Sequence, residues 1–525
     1  MKNTFYTTTP IYYTNGIPHI GHAYTSLICD ILTTYHKISG DKVKFATGVD
    51  ENSQKALDKA NEAGMEIMQY LDMMASKHKN VWDGLGIGYT DFIRTTEKRH
   101  HDLVREVLQK CFDTGDIYEG VYEGMYCVGC EGFKKDEDLV CLNKTTNETF
   151  EFSPKVKMSE NIIKVCPDHL KEPQIIKEKN WFFRLSKYQK YLQDFYKNNP
   201  DFVVPQNRFN EVIAFVERGL EDFSISRQSN TFGIKLPFDE TQVTYVWFDA
   251  LFNYITLCKY PDNGGDDMMF WPANLHVVAK DIIRFHAVFW PAMLKSAGYE
   301  MPKQILTTGY FTLDGQKISK SLGNAIDPVE FCEKYSKDLL TLYMMSSINI
   351  GQDGDFNTKD AINQYNAKLA NNLGNLVNRV VVLSLKIGGK LKSGDVSFLD
   401  IKKLTKDSNN NFKNYNLKQV LDDSFKFLDK LNDFTTKKEP WQTIKDETKL
   451  EETKEILYTI AEGLRQVGLI LFPFFPEKME EMFKKFGLND YKEVLENGGL
   501  INLQNKQETF NILEKGSNLY DRFEV

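Results

Sequence analysis

The sequence has no apolar run long enough to cross a membrane and no excess of positive charge. Its 525 residues carry a formal net charge of −8 at pH 7. Because the average field of such a chain repels polyanions, any nucleic-acid partner has to meet local basic surface. Cysteine is also scarce, and eight residues spread over this length do not form the dense framework of a disulfide-stapled domain. Composition by itself indicates no nucleic-acid partner.

No leader segment is expected ahead of the first structural element. A β-rich run begins at Phe5, which leaves no room for a signal or transit peptide. We therefore expect a protein that works in the cytoplasm without a membrane partner. The chain is too long for one ordinary domain and predicts about three or four. A hydrophobic fraction of 42% is sufficient for their cores.

Residues 5 to 36 predict a strand, a turn and a helix. After a Pro/Gly/Asn turn, apolar residues recur every three or four positions from 23 to 35, which is typical of an amphipathic helix. His19 and His22 fall at its start, where free N–H groups and a partial positive charge favour phosphate. Gly21 lacks a Cβ, so a flat ring could lie against the backbone there. The alternative is that the two histidines only cap the helix, because a four-residue motif is weak evidence.

Residues 309 to 324 read GYFTLDGQKISKSLGN. They predict a strand end, a tight turn at Asp314-Gly315 and a cationic loop. Two lysines in such a loop can both reach one polyphosphate, although a solvated surface loop is the simpler interpretation. The loop side chains that could contact phosphate are Lys317, Ser319, Lys320 and Ser321.

The motifs HIGH at 19–22 and KISKS at 317–321, in this order and at this separation, resemble those of class I aminoacyl-tRNA synthetases. Within that class, residues 1 to about 470 resemble the methionyl family. The resemblance implies that L-methionine and ATP, with Mg²⁺, give methionyl-adenylate and that the methionyl group then passes to tRNA(Met). It implies catalytic roles for His19, His22, Lys317 and Lys320. The ATP-binding residues it implies are His19, Gly21, His22, Lys317, Ser319, Lys320 and Ser321.

Residues 1–115 and 223–325 alternate strands with helices, which predicts one α/β unit with a Rossmann-like parallel sheet. Ligands of such sheets bind beyond the carboxyl ends of the strands. The predicted strand at 42–49 ends at Asp50, and helices are predicted at 54–63 and 66–83. Asp50 could hold a substrate ammonium or an ATP ribose, or it could cap a helix.

Residues 116–222 interrupt this pattern and are expected to form an insertion that splits the sheet. Cys127 and Cys130 form one pair with zinc-knuckle spacing, and Cys166 and His169 form another. Four such ligands suit a closed, structural Zn²⁺ site, with Cys141 as the rival of His169. The alternative is that the cysteines are simply reduced and structural. The charged and polar segment 134–165 predicts a surface loop, and the resemblance implies the zinc-ribbon connective peptide of the one-zinc members.

The second half of the α/β unit carries a candidate amino-acid pocket. Trp247, Ala250 and Tyr254 share one predicted helix face, which is more often core than ligand site. Asp281 and His286 follow a buried strand at 275–279, where a helix cap and a core histidine are the alternatives. A thioether packs well against aromatic rings. The resemblance implies that methionine is held by Ile11, Tyr13, Asp50, Trp247, Ala250, Leu251, Tyr254, Asp281 and His286.

The carboxyl-terminal part predicts a linker and stem-contact region at 326–360 and an α-helical bundle at 361–525. Helices are expected at 361–386, 410–432 and 452–471. Asn375 and Arg379 share a helix face, and Trp441 follows Pro440. Without the resemblance they are helix surface and core, and with it they match the family's anticodon readers, whose amide, guanidinium and indole can contact unpaired bases. The chain stops soon after the bundle, so we expect a monomer.

A second hypothesis from a different class is a non-enzymatic RNA-binding protein with a zinc ribbon and a helical bundle. It leaves HIGH and KISKS without a role. A third hypothesis keeps the reaction and changes the amino acid. The cysteine pairs fall in the insertion rather than in the pocket, and the chain is shorter than the isoleucyl, valyl and leucyl types, so methionine is favoured.

Overall fold

The amino-terminal part alternates strands and helices. The computed structural model describes residues 3–127, 132–153, 156–167, 170–228, 231–313, 315–318, 325–488, 506–512 and 514–524. The strand and helices predicted between 42 and 83 are confirmed to within a residue of their ends. The first elements are β1 (Thr4–Thr8), β2 (Tyr12–Tyr13), α1 (Ile20–Ile38), β3 (Lys42–Asp50), α2 (Gln54–Glu62), α3 (Ile67–Gly84), β4 (Asp91–Arg94) and α4 (Lys98–Asp113).

The insertion is built on a long antiparallel ribbon. Its elements are β5 (Ile117–Cys127), β6 (Gly132–Lys134), β7 (Val140–Asn143), β8 (Glu148–Glu151), β9 (Ile162–Val165), β10 (Gln174–Phe183) and α5 (Gln189–Asn198). The ribbon pairs β5 with β10 from Ile117 opposite Phe183 to Tyr126 opposite Gln174. The prediction of a surface loop at 134–165 is wrong, because β7 pairs with both β8 and β9 there. Since β8 is exposed along its whole length, it has no apolar face that a sequence pattern could reveal.

The chain then returns to the main sheet. The next elements are β11 (Val203–Val204), α6 (Gln206–Glu217), β12 (Phe223–Ser224), β13 (Ser226–Arg227), β14 (Lys235–Leu236), β15 (Asp239–Thr244), α7 (Val246–Leu251), α8 (Asn253–Lys259), β16 (Leu275–Ala279), α9 (Trp290–Ala297) and β17 (Ile305–Thr308). The sheet has seven strands in the order β11-β17-β16-β1-β3-β2, with β4 also paired to β3. All these pairings are parallel. Within the predicted insertion, β11 pairs with β17 of the main sheet, while β12, just after residue 222, pairs with β10 of the ribbon.

The main sheet separates two apolar cores. Successive residues of a strand face opposite sides, so Phe5 and Phe45 enter one core and Tyr6 and Ala46 enter the other. The first core contains α1 and most of the carboxyl-terminal helices. The second contains α4, α8 and α9. Both faces of β1 and β3 are therefore covered, as parallel sheets require.

The carboxyl-terminal part is mainly helical. Its elements are β18 (Phe311–Leu313), β19 (Gln316–Lys317), α10 (Pro328–Lys334), α11 (Lys337–Ser347), β20 (Gly354–Phe356), α12 (Thr358–Tyr365), α13 (Asn375–Lys386), β21 (Lys390–Leu391), α14 (Ile401–Lys413), α15 (Leu417–Lys438), α16 (Pro440–Thr443), α17 (Leu450–Leu471), α18 (Pro476–Lys485) and β22 (Phe510–Asn511). A π-helical segment, Asn366–Gly374, joins α12 to α13. The predicted linker at 326–360 is itself ordered, because α10, α11 and β20 lie in it. No helix in the described part of the chain is long and apolar enough to cross a membrane.

The last described residues hold the bundle against the linker helices. β22 pairs antiparallel with β21, and the Tyr520 hydroxyl donates to Asp338 Oδ2 at 2.9 Å. Asn366 exchanges two hydrogen bonds with the backbone of Phe523, at 2.8 and 3.0 Å. The segment after residue 505 therefore links α11, the π-helical segment and the end of the chain.

We predict that Gly48→Ala destabilises the main sheet. A Cβ at Gly48 in β3 would lie 2.2 Å from the Ile93 carbonyl oxygen of β4, and a backbone atom cannot move away without breaking the pairing. The free energy of unfolding should fall by about 1–3 kcal/mol or more, measured by urea denaturation. Gly264→Ala is the control, since no atom lies within 4 Å of its Cβ and only its φ of +73° is unfavourable, a cost of about 1 kcal/mol. Equal losses in the two variants would contradict the prediction.

Candidate active site

The carboxyl ends of four neighbouring strands converge on one cleft. β1 pairs with β3 on one side and with β16 on the other, so the strand order reverses at β1. This is the position at which open α/β sheets bind ligands. The helix α1 begins at the same edge, directly after β1 and β2. Residues after β3, β16 and β17 therefore face the start of α1.

His19 and His22 hold the first turn of α1 in a fixed arrangement. The Gly21 N–H donates to His19 Nδ1 at 3.1 Å, and the His19 N–H donates to His22 Nδ1 at 3.1 Å. Because both Nδ1 atoms accept, the ring protons of the neutral imidazoles are assigned to Nε2. The ring centroids are 4.0 Å apart. Both side chains therefore cap the helix in a reciprocal capping box, as the alternative interpretation of the motif expected.

The segment on either side of the KISKS loop is anchored to α1. β19 pairs with β18, with Thr312 opposite Lys317, and Phe311 packs edge-on against Tyr24 at 5.0 Å between ring centroids. After the loop, the Ile326 carbonyl accepts the N–H of Ile20 at 3.1 Å. Ser319, Lys320 and Ser321 lie outside the described residues, as does the side chain of Lys317. Both ends of the loop are therefore fixed next to the HIGH motif.

An aromatic pocket lies on the other side of the cleft. Trp247 stacks on Phe285 with a centroid distance of 3.8 Å and an interplanar angle of 3°. The Tyr254 hydroxyl lies 2.8 Å from His286 Nε2, and His286 Nδ1 lies 3.1 Å from the Ile282 carbonyl. A neutral His286 that donates through Nδ1 and accepts at Nε2 satisfies both contacts.

Burial keeps this pocket uncharged. Desolvation lowers the pKa of His286 to about 4, against a smaller raising effect of its bond to Ile282. The predicted lining residues Ala250, Leu251 and Tyr254 are buried, and Trp247 is half-buried. The predicted single helix face is divided, because α7 ends at Leu251 and α8 starts at Asn253. The arrangement suits an apolar, polarizable side chain.

The remaining predicted methionine-binding residues lie around the edge of the cleft. Asp50 is buried at the end of β3 beside Tyr13 of β2. Lys55 lies over the Tyr13 ring, 4.6 Å from its centroid. Ile11 is half-buried and packs against the second core. Asp281 is exposed in the short helical turn after β16 and does not cap it with its side chain.

Sequence reasoning missed a buried polar network behind the pocket. His276 Nδ1 lies 2.8 Å from Thr8 Oγ1, and the His276 ring packs 4.3 Å from that of Tyr254. The Asn52 amide donates to Asp249 Oδ2 at 3.2 Å, which ties α7 to the turn after β3. The available signal was a polar residue inside an otherwise apolar run, as with His276 in LHVVA.

The predicted zinc ligands are only partly described. Cys127 ends β5 and Cys166 follows β9, and both are buried. Cys166 opens a tight turn in which its carbonyl accepts the Leu170 N–H at 2.8 Å and its own N–H donates to Lys171 O at 3.0 Å. Cys130 and His169 lie outside the described residues. Cys141 is buried in the middle of β7.

The predicted anticodon readers lie on two helices that pack against the same partner. Asn375 and Arg379 are exposed on α13, and Trp441 is half-buried on α16. Both helices contact α17. The chain changes direction between α15 and α16 at Glu439, whose φ is 44°. Trp441 lies in the first turn of the short helix α16.

Comparison with known proteins identifies the family. A family model described as class I tRNA synthetases (M) matches residues 5–381. A methionine–tRNA ligase of Rickettsia felis is 38% identical over 500 residues, which is 93% of this chain and 93% of that protein. The chain belongs to the methionyl-tRNA synthetase family. Another relative, the methionine–tRNA ligase of Fusobacterium nucleatum, is 38% identical over 499 residues, covering 93% of this chain and 75% of that protein.

Structural comparison agrees with this membership. Mycobacterium tuberculosis methionyl-tRNA synthetase in complex with methionyl-adenylate matches with a TM-score of 0.90 at 30% identity, covering 99% of this chain and 100% of that chain. The expected class I synthetase fold, an α/β parallel sheet with a helical carboxyl-terminal region, is confirmed. The expectation of a methionine–tRNA ligase is confirmed as well. The hypothesis of a non-enzymatic RNA-binding protein is not supported.

We predict that His286 makes stability depend on pH in this methionyl-tRNA synthetase. Its pKa is about 4 in the folded chain and near 6.5 in an unfolded one. As the pH falls from 7 to 5, His286 takes up a proton in the unfolded chain but not in the folded one. Protonation therefore stabilises the unfolded state, and the free energy of unfolding of the wild type decreases. The Tm deficit of His286→Asn relative to the wild type should therefore narrow over that range. A deficit that is constant from pH 7 to pH 5, measured by scanning calorimetry, would contradict the assignment.

Proposed function

We propose that this methionine–tRNA ligase activates methionine in the cleft between the first turn of α1 and the aromatic pocket. One observation carries the proposal: the Ile20 N–H donates to the Ile326 carbonyl at 3.1 Å, so the KISKS loop starts and ends beside HIGH. His19 and His22 then face the same phosphates as Lys317 and Lys320. Gly21, Ser319 and Ser321 complete the ATP contacts.

The first step forms methionyl-adenylate. A carboxylate oxygen of methionine attacks the α-phosphorus of ATP, and the bond from that phosphorus to the oxygen bridging to the β-phosphate breaks, releasing pyrophosphate. The carboxylate is already ionised at pH 7, so the protein needs no base and acts by positioning and charge stabilisation. The Nε2–H groups of His19 and His22 donate to the phosphate oxygens as charge develops. The lysines of KISKS neutralise the departing pyrophosphate.

The second step transfers the amino acid to tRNA. A ribose hydroxyl at the tRNA 3′ end attacks the acyl carbon of the adenylate, and the bond to the phosphate oxygen breaks to release AMP. Asn375, Arg379 and Trp441 are proposed to hold the anticodon. The exposure of Asn375 and Arg379 on one side of α13 supports that role. An indole, an amide and a guanidinium can each stack on or bond to unpaired bases.

The methionine side chain is proposed to lie against Trp247 and Tyr254. A thioether gains favourable contacts at aromatic edges, and the neutral His286 behind Tyr254 presents no charge that would have to be desolvated. Asp50 and Asp281 are the carboxylates available for the substrate ammonium or the ATP ribose. The other proposed pocket residues are Ile11, Tyr13, Ala250 and Leu251.

We propose that Mg²⁺ enters with ATP. No group of three or more His, Cys, Asp and Glu side chains within the described ranges is arranged to hold a metal ion. Phosphate oxygens and water would be its main donors, as is usual for Mg²⁺ in nucleotide sites. When bound, it neutralises phosphate charge.

We propose that Cys127, Cys130, Cys166 and His169 hold one structural Zn²⁺, as in one-zinc members of the family. The burial of Cys127 and Cys166 and the tight turn after Cys166 support the fit, since thiolates in such turns are the usual ligands of structural zinc. Zinc would join the end of β5 to the end of β9 and so make the insertion a zinc ribbon. We also propose that the enzyme acts as a monomer in the cytoplasm, where tRNA(Met), ATP and methionine are available.

We predict that Gly21→Ala slows adenylation. A Cβ at Gly21 would lie 3.0 Å from His19 Cε1 and 3.1 Å from His19 Nδ1, so the ring has to move away from the phosphate. Methionine-dependent exchange of pyrophosphate into ATP should fall about 10- to 100-fold. Gly88→Ala is the control, because its Cβ approaches only the Asp30 carboxylate, at 3.2 Å. Exchange in Gly21→Ala equal to that of the control would refute the role of His19.

We predict that Lys320→Ala lowers the rate of adenylation far more than the affinity for methionine, because the lysine contacts phosphate and not the amino acid. The single-turnover rate constant should fall by about 100-fold, with the methionine dissociation constant nearly unchanged. Lys402→Ala, which removes an exposed lysine of α14, is the control. Normal turnover in Lys320→Ala would remove this lysine from the mechanism.

We predict that Cys166→Ser abolishes stoichiometric zinc binding and that Cys141→Ser retains it. Metal content is measured by inductively coupled plasma mass spectrometry after purification without added zinc. Loss of zinc from Cys141→Ser, with retention in a His169→Ala variant, would instead make Cys141 the fourth ligand. Retention of zinc in Cys166→Ser would contradict the proposed site.

A further inference from the structure

A second cleft lies at the edge of the main sheet opposite the active site. It has a volume of about 500 Å³ and is lined by residues that precede or begin the strands. Phe5 is the second residue of β1, Asn274 precedes β16 and Gln304 precedes β17. The opposite wall comes from the bundle, where Lys413 ends α14 and Tyr415 follows it. This interface cleft therefore lies between the catalytic sheet and the helical bundle.

Several contacts hold the two walls of the interface cleft together. The Tyr415 hydroxyl donates to Gln304 Oε1 at 2.6 Å, and Gln304 Nε2 donates to the Asp201 carbonyl at 3.0 Å. Next to them, Tyr35 of α1 stacks on Phe412 of α14, with 4.3 Å between ring centroids. The walls of the cleft therefore combine the starts of the strands, the end of α14 and the loop at 198–202, and its volume falls within the size range of small-molecule sites.

The interface cleft carries unbalanced positive charge. Lys303 and Lys413 are exposed, and within the part of the chain that the structure describes neither forms an ion pair with a carboxylate. Asp201 also lines the cleft, but it is not within ion-pair distance of either lysine. Two cations therefore face a space that contains a single carboxylate, and a bound anion would reduce their mutual repulsion.

The floor of the interface cleft is a histidine fixed in place. The His36 ring stacks on Phe5 with 3.6 Å between centroids, and its Nδ1 is bonded to Asp41 Oδ2 at 2.7 Å. Burial lowers the pKa of His36, and the hydrogen bond and charge of Asp41 raise it. The Lys413 ammonium lowers this pKa further, so its charge is felt electrostatically at the imidazole ring. The Asn274 side-chain oxygen accepts the Tyr6 N–H at 3.0 Å, which leaves its amide nitrogen as a donor.

We propose that the interface cleft binds a small anion that carries a phosphate or carboxylate group, with Lys303 and Lys413 as its charged ligands. The Asn274 amide supplies a further donor. Such an occupant bridges the catalytic sheet and the bundle. It does not compete with ATP, because about 26 Å of α1, at 1.5 Å per residue, separates His19 in the active site from His36 in the interface cleft.

Binding of inorganic phosphate and of acetate tests the proposal on the full chain. The active site is first filled with a non-hydrolysable methionyl-adenylate analogue, and binding is measured by isothermal titration calorimetry. The double variant Lys303→Gln/Lys413→Gln removes the two proposed ligands. The double variant Lys402→Gln/Lys406→Gln removes the same charge from exposed positions of α14. Methionine-dependent exchange checks that all proteins are folded.

We expect the wild type and the Lys402/Lys406 control to bind one anion with equal affinity, and the Lys303/Lys413 variant to bind it at least tenfold more weakly. Tighter binding of phosphate would assign a phosphate compound, and tighter binding of acetate a carboxylate. No binding to the wild type once the active site is filled would overturn the proposal. Equal weakening in both double variants would also overturn it, since it would reflect net charge alone.

Discussion

The structure depends on one backbone hydrogen bond at the start of α1. There the N–H of Ile20 is taken by the carbonyl of Ile326, although some 300 residues separate them in the chain. An N–H in the first turn of a helix has no partner within the helix. By satisfying it from the segment after KISKS, the chain brings its two phosphate-binding motifs to one point. The insertion and the second half of the sheet both lie between these two residues in sequence, so both must fold for this hydrogen bond to form.

The division into two cores explains why one end of the cleft is charged and the other is not. The proposed phosphate end lies at the start of α1, where His19 and His22 cap the helix. The amino-acid end lies over the second core, where burial keeps His286 neutral and aromatic rings supply the surface. A polyanion and an apolar side chain can therefore occupy adjoining parts of one cleft. The hydrogen bond from Asn52 to Asp249 ties α7 to the turn after β3. It therefore helps to fix the distance between the two ends of the cleft.

Strong periodicity made the catalytic sheet and α1 predictable, and the HIGH and KISKS motifs are the basis for the proposed phosphate end. Long-range contacts were not predictable, because no local pattern shows that Ile326 would meet Ile20. The β7–β8–β9 sheet escaped detection since β8 has no buried face, and β11 was missed because two residues are too few to show a period. His276 was overlooked because it stands alone in an apolar strand. Its hydrogen-bond partner Thr8 lies on another strand, far away in the sequence.

The most direct test of the account is exchange of pyrophosphate into ATP, measured with each of the standard amino acids in turn. A cleft with a cationic phosphate end and a neutral aromatic pocket should support exchange with methionine and with no other amino acid at comparable rate. Exchange driven by cysteine or isoleucine would mean that the phosphate end is assigned correctly and the pocket is not. The absence of exchange with every amino acid, in folded and zinc-loaded protein, would contradict the account as a whole.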